Sequence, residues 1–364
     1  MVFLSQLLVI SNEVKTLKVW VIVLIVALAL MSVVVGLALY LYSKGRKEQK
    51  NRNSEVEENQ RANYEISQML ADKMLETEEQ ARELAETSTE LKWQTENALR
   101  LFDEVESQKR EITDSIEYAK KIQSALLPES SFINEILNDY FVLFRPRDIV
   151  SGDFYWVNAK ANKSIIVAAD CTGHGVPGGF MSLLGITFLN AVIEESELEA
   201  DTILNILRDK VISSLKQTGK ELENKDGMDM AMCIIDWENE RIEYAGANIS
   251  LILLRSTSDS QHEYIEYRAD RMPIGIFGAE LRPFTRHFIP IIPGDSFYMY
   301  SDGYCDQFGG PDLKKFKKKN LTKLLSEIHT LSMTEQKKII EQTLDDWKGD
   351  MPQVDDILMV GIKI

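Results

Sequence analysis

Residues 19–43 carry no charged side chain, and a run of that length constrains the chain more than any other feature. In a helix it spans about 37 Å, enough to cross a bilayer. A cleaved signal peptide would have a shorter apolar core and a small-residue cleavage site after it, so the run reads as an uncleaved membrane helix. Lys44, Arg46, Lys47, Lys50 and Arg52 follow it, whereas only Lys15 and Lys18, partly offset by Glu13, precede it. Positive-inside reasoning then predicts a single pass through the inner (cytoplasmic) membrane, with everything C-terminal in the cytoplasm. Residues 1–18 are extracytoplasmic in this reading and too few for a ligand-binding domain, which assigns any external signal to a membrane partner or to an upstream region.

From about Asn51 to Ser124 the chain is rich in Glu, Gln, Lys and Arg and contains neither proline nor glycine. One helix of about 110 Å is expected. Every seventh residue from Leu70 gives Leu70, Thr77, Leu84, Leu91, Ala98, Val105, Ile112 and Ala119, a heptad seam. The companion series Met74, Ala81, Ser88, Thr95, Phe102, Lys109, Ile116 and Gln123 is half polar, which predicts a weak, adjustable coiled coil and a parallel homodimer. A solvated spacer helix docked on its own domain is the alternative. Leu126-Leu127-Pro128 ends the helix, because proline cannot continue it, so the chain divides into a linker over 44–126 and a globular domain over 127–364.

A chain of 364 residues has room for a sizeable core, and its net charge of −16 excludes a nucleic-acid partner, since such binding rests on clustered Lys and Arg. Cys171, Cys233 and Cys305 are widely spaced and suggest neither a zinc site nor disulfides. Strand-like runs appear at Tyr140–Phe144, Asp153–Asn158, Ser164–Ala169, Ala231–Asp236, Ile242–Tyr244, Ser250–Arg255, Phe284–Ile289, Ser296–Tyr300 and Ile357–Ile362. Helical patterns occupy Val176–Glu195, Asp201–Gln217, Lys319–Ile328 and Thr334–Trp347. Strands come in blocks instead of alternating with helices, which predicts an α+β domain with antiparallel sheets.

Aspartates stand at the strand ends. Asp153 precedes one run, Asp170 follows another before the Gly173-His174-Gly175 turn, Asp302 follows Ser296–Tyr300, and Asp355-Asp356 precede the last. Carboxylates at several strand ends can converge on one sheet edge, and an all-oxygen set suits Mg²⁺ or Mn²⁺. Two such ions can activate a water and clamp a phosphoryl group for in-line attack. A single Asp-Gly turn carries little weight, since most are simply turns.

The strings GDFYW, DCTGHGVPGGFMS, DGMDMAM, YAGAN, PIGI, SDGYCDQFGG and QVDDILMVGI, in this order over roughly Ser115 to Ile364, resemble the SpoIIE/RsbU branch of the metal-dependent type 2C serine/threonine phosphatases. The resemblance implies an αββα sandwich, two antiparallel sheets flanked by helices, with two Mn²⁺ or Mg²⁺ ions at one edge. Carried over by motif, Asp153, Asp170, Asp302, Asp355 and the Cys171 backbone carbonyl are the metal ligands. The implied reaction is hydrolysis of phosphoserine by metal-bound hydroxide, and the implied substrate is a STAS-type anti-sigma-factor antagonist. An inactive phosphatase-like scaffold that binds a phosphoprotein is the alternative, and the full set of aspartates argues against it.

His174 is a candidate general acid toward the leaving serine oxygen, or a residue that caps its turn. Arg145 and Arg147 form a candidate fork for the substrate phosphate, or a surface pair. Asp356 replaces the Asn frequent in the wider family, and Leu358 replaces a hydroxyl residue, which removes a hydroxyl contact there. Asp226 and Asp229 read as a solvated turn in preference to a third metal site or a regulatory loop. The run Lys314, Lys315, Lys317, Lys318 and Lys319 reads as a solvated loop, or as a surface that steers an acidic phosphoprotein or touches anionic lipid. Cys171 and Cys305 are expected to be buried, inert thiols.

Overall fold

The computed structural model of the chain describes residues 21, 23–38, 53–195, 199–219, 225–256, 262–278 and 282–364, with backbone only for 53–62 and 195. Residues 1–18 and the basic flank 44–52 lie outside this set, as do several positions of the expected membrane run. The described part of that run forms helix α1, Val23–Ala38. Helix α2 covers Asn53–Leu126, ending directly before Leu127-Pro128 as the proline rule requires. The chain divides within α2 into two compact units, Met1–Leu101 and Phe102–Ile364.

In the second unit the elements follow in the order α3 (Ser130–Ile136), β1 (Asp139–Arg145), β2 (Phe154–Lys160), β3 (Lys163–Cys171), α4 (Gly175–Glu195), α5 (Ala200–Ser214), β4 (Met228–Asp236), β5 (Arg241–Ala247), β6 (Leu251–Ser256) and β7 (His262–Tyr267). Then come β8 (His287–Pro290), β9 (Ser296–Tyr300), α6 (Gly303–Asp306), β10 (Phe308–Gly309), β11 (Lys314–Lys315), α7 (Lys318–Ile328), α8 (Met333–Lys348) and β12 (Ile357–Lys363). Two five-stranded sheets form, in the orders β1-β12-β9-β6-β7 and β2-β3-β4-β5-β8, with β10-β11 as a separate hairpin. Every pairing within them is antiparallel.

Alternation along the strands makes four layers. In β3, Ile166 and Ala168 face the space between the sheets, where they meet Phe297, Met299, Leu358 and Val360. Ile165, Val167 and Ala169 face the other way, onto Ile186, Leu189 and Ile193 of α4 and Ile203 and Leu207 of α5. On the far side of the second sheet, Phe141, Leu143, Tyr298 and Met359 pack on Leu321 and Leu325 of α7 and Ile340 and Leu344 of α8. Because β3 is covered on both faces its central run, Ile165–Ala169, is apolar, and each of its fully buried Ile and Val side chains contributes roughly 1.5–3 kcal/mol. Gly175–Glu194 is long and apolar enough to cross a membrane, but half of it is buried; it is a core helix of the sandwich.

Two local departures have physical reasons. The run Phe284–Ile289 forms a strand only from His287, because Phe284 turns into the core beside α5 under the Arg208 guanidinium, 4.8 Å from its ring centre. Strand β7, HEYIEY, lies at a sheet edge with its side chains half-exposed, so its polar composition hid it from a search for apolar runs.

Candidate metal centre

Antiparallel pairing delivers the acidic residues to one edge of the sandwich. Asp170, next to last in β3, stands opposite Asp229 near the start of β4. Asp302 follows β9 and begins α6. Asp355 lies in the turn before β12, where its side chain accepts the Asp356 backbone N–H at 2.9 Å. Asp170, Asp229, Asp302 and Asp355 line one open cleft of about 240 Å³ with His174 and the backbone around Cys171 and Gly173. Asp153 lies buried behind Asp170 and accepts the Ser301 hydroxyl at 2.7 Å. Ser301 Oγ in turn accepts the Leu358 N–H at 2.9 Å, which ties Asp153 to the start of β12.

Two tight turns shape this edge. Asp356 grips the one before β2: its two carboxylate oxygens accept the Arg147 and Gly152 backbone N–H groups, each at 2.7 Å. Gln123, near the C-terminal end of α2, donates to the Ser151 carbonyl at 2.6 Å and to Ser182 Oγ at 2.7 Å, and it accepts the Ser151 N–H at 3.1 Å. Gly178 lets the turn at Gly173 close against the turn at Gly152; a Cβ there would overlap the Gly173 carbonyl oxygen and lie 2.8 Å from Gly152 Cα.

The electrostatics of the edge are those of crowded acids. Burial, then the charges of Asp302, Asp229 and Asp355, push the Asp170 carboxyl up to about 8. Burial and the adjoining Asp170 raise Asp153 well above the carboxylate range, and the two carboxyls share a hydrogen bond. Asp302, Asp229 and Asp356 are also raised, burial being the first cause in each. Burial likewise raises the thiols of Cys171 and Cys305, and the three cysteines are buried and unpaired with one another.

Residues 160–364 match the Stage II sporulation protein E (SpoIIE) family, which is more than half of the chain. The chain belongs to the SpoIIE family. It is 30% identical to the SiaA-PP2C domain of Pseudomonas aeruginosa, over 71% of this chain and 98% of that one, with a TM-score of 0.63. A second structure, the PP2C phosphatase domain with a fragment of the regulatory domain of SpoIIE from Bacillus subtilis, is 17% identical. It covers 62% of this chain and 63% of that one at a TM-score of 0.50, which supports the fold alone. Comparison with curated proteins gives no match. The α+β domain with two antiparallel sheets is therefore a PP2C-type serine/threonine phosphatase domain of the SpoIIE/RsbU-like branch. The match begins at residue 160, so it covers Asp170, Asp302 and Asp355 and starts after Asp153.

Within this SpoIIE-family domain the expected residues fall into three groups. Asp170, Asp302 and Asp355 share the cleft, with Asp153 directly behind. His174 reaches the same cleft, its Nδ1 2.9 Å from Asp148 Oδ2. The arginines part company: Arg145 pairs with Asp345 of α8 at 2.9 Å, whereas Arg147 donates to the Val354 carbonyl at 3.1 Å and holds its Nε 3.5 Å from Asp148 Oδ2, beside His174. Of the basic run, Lys314, Lys315 and Lys318 pair with Asp312, Asp306 and Glu266, and Lys318 lines the adjoining part of the cleft.

Sequence reasoning ranked a third metal site at Asp229 below a solvated turn, and gave Asp148 and Gln123 no role at the site. Asp229, read as a turn residue, faces the cleft and accepts Asn248 Nδ2 at 2.8 Å; its place directly before an apolar strand was the available signal. Asp148 and Gln123 carried none, because their partners are distant in sequence. Among the described residues no three His, Cys, Asp or Glu side chains are already gathered in metal-holding geometry. The donor set nonetheless fits hard divalent cations: its side chains are all carboxylates, and the charges that act on Asp170 are those of the neighbouring acids Asp302, Asp229 and Asp355.

Proposed function

We propose that this chain is a membrane-anchored protein serine/threonine phosphatase that hydrolyses phosphoserine on a cytoplasmic regulator, by the SpoIIE/RsbU resemblance a STAS-type anti-sigma-factor antagonist. The observation that carries the reading is the convergence of Asp170, Asp302 and Asp355 on one cleft, with Asp153 behind them, in a PP2C-type domain. We assign these four side chains and the Cys171 carbonyl to two Mn²⁺ or Mg²⁺ ions. When bound, such ions neutralise phosphoryl charge and activate water.

The chain's own residues supply the rest. Their crowded carboxyls would exchange protons for cations at the cleft, and the Asp356 and Ser301 hydrogen bonds hold the two turns that present Asp153. Arg147, beside the His174–Asp148 pair, is the arginine we assign to the substrate phosphate; Arg145, in its pair with Asp345, braces α8. His174 gives a proton to the leaving serine oxygen.

Residues 19–43 anchor the protein in the inner membrane, and residues 44–126 carry a signal to the domain at 127–364. Exposed seam residues Val105 (54%) and Ile112 (61%) support pairing of α2 with a second copy in parallel, and Gln123 supports regulation through the linker. The test is phosphate release from phosphoserine proteins by the full chain, in Mn²⁺ and in chelator. Release that is the same in both would contradict the reading.

A further inference from the structure

We propose that Asp148 is a positioning residue for proton delivery by His174, fixing which imidazole nitrogen meets the leaving serine oxygen; this rests on the phosphoserine hydrolysis proposed above. The two residues come from separate turns and meet with His174 Nδ1 2.9 Å from Asp148 Oδ2. A carboxylate only accepts hydrogen bonds, so Nδ1 is the donor of this pair and Nε2 is the nitrogen left for a ligand. Asp148 is itself held, since Arg147 Nε lies 3.5 Å from the same oxygen and the Arg147 backbone N–H is fixed on Asp356 at 2.7 Å. The turn also leaves room for the carboxylate: Gly175 has φ +61, and a Cβ there would stand 3.2 Å from Asp148 Oδ2. The side chains of His174 and Asp148 are 45% and 42% exposed, and a pair so open contributes little to stability. Its geometry is explained by function at the cleft that His174 lines.

In the step this serves, a water oxygen bonds to phosphorus as the bond from phosphorus to the serine oxygen breaks. The electron pair of that bond stays on the serine oxygen, which takes the proton from His174 Nε2. Imidazole is left neutral with Nδ1–H still donated to Asp148. The surplus proton of the water passes to solvent, which recharges the ring, and hydrogen phosphate leaves. Carboxylates that orient metal-bound histidines are typically worth about 10–100-fold, and a loss of that order is expected for this pair.

The experiment compares a phosphoserine peptide, whose alkoxide needs a proton to leave, with p-nitrophenyl phosphate, whose phenolate does not. It uses the full chain in Mn²⁺ as wild type, Asp148→Ala, Asp148→Glu, His174→Ala and the double variant. Asp148→Ala should lose about tenfold more kcat on the peptide than on the aryl phosphate, with peptide KM unchanged. Asp148→Glu should restore part of the loss, and the double variant should be no worse than His174→Ala. Nitrogen NMR of His174 should show the Nδ1–H tautomer in the wild type and its loss in Asp148→Ala. Equal losses on both substrates, or additive losses in the double variant, would overturn the role of Asp148 while leaving the phosphatase reading intact. A His174→Ala variant without selective loss on the peptide would overturn proton delivery by His174, and with it this inference.

Discussion

Gln123 and Ser151 are joined by two hydrogen bonds, amide to carbonyl at 2.6 Å and backbone N–H to amide oxygen at 3.1 Å, so the end of the linker helix is bonded to the turn that presents Asp153. The Gln123 amide is buried, and its removal leaves the Ser151 groups without these partners. Gln123→Ala should destabilise the domain by about 1–3 kcal/mol and slow phosphate release, because the Ser151–Asp153 turn loses its support. Urea denaturation of the full chain checks the first effect. Unchanged stability would show that the bonds carry no weight.

Cation-free protein should lose stability as pH rises. Asp170 is raised to about 8 from an ordinary carboxylate value of 3.8, so the folded chain holds a proton there that the unfolded chain releases. That stabilisation is full below about pH 4 and declines as pH approaches 8, by at most about 1.4 kcal/mol per pH unit for one proton. Asp153, Asp302 and Asp229 act in the same direction. Melting temperature in chelator should therefore fall between pH 5 and 8, and added Mn²⁺ should reverse the fall as it replaces protons. A melting temperature that rises over this range in chelator would count against the buried acid cluster.

Gly178→Ala tests the packing of the two turns. The groups a methyl would meet, Gly173 O and Gly152 Cα, are backbone atoms and cannot rotate away. A loss of about 1–3 kcal/mol is expected, with Mn²⁺ binding by calorimetry weakened about tenfold, since the displaced turns support the ligands.

The linker is tested by Leu91→Cys. The native cysteines are buried, so mild oxidation should crosslink two chains through position 91 if the seam pairs in parallel. Deleting three or four residues within Glu78–Val105 shifts the heptad phase and should change the phosphatase rate. Absence of an intermolecular crosslink would remove the dimer from the account.

Much of this organisation was legible in the sequence because it follows from local rules. Pro128 marked the end of α2 and the β-branched run at β3 marked a buried strand; the aspartates at strand ends suggested a sheet edge, and the family resemblance was needed to bring them together as one set. Three features were ranked too low or missed, for one shared reason. Asp229 is set beside Asp170 by strand register, Asp148 meets His174 across two turns, and Gln123 reaches Ser151 and Ser182 from another element. Each depends on how separate segments pack, which periodicity and turn chemistry do not encode. Within the second unit Phe102, Ile116 and Gln123 of the half-polar companion series are partly or fully buried, while of the apolar seam Ala119 is partly buried and Val105 and Ile112 are exposed.

The most direct test of the central claim is the rate of phosphate release from a phosphoserine protein in Mn²⁺, by the full chain and by its Asp170→Asn and Asp302→Asn variants. Removing one carboxylate from the cleft should lower the rate by about 100-fold or more, with each variant still folded. Equal rates in all three proteins would contradict the assignment of these aspartates to the reaction.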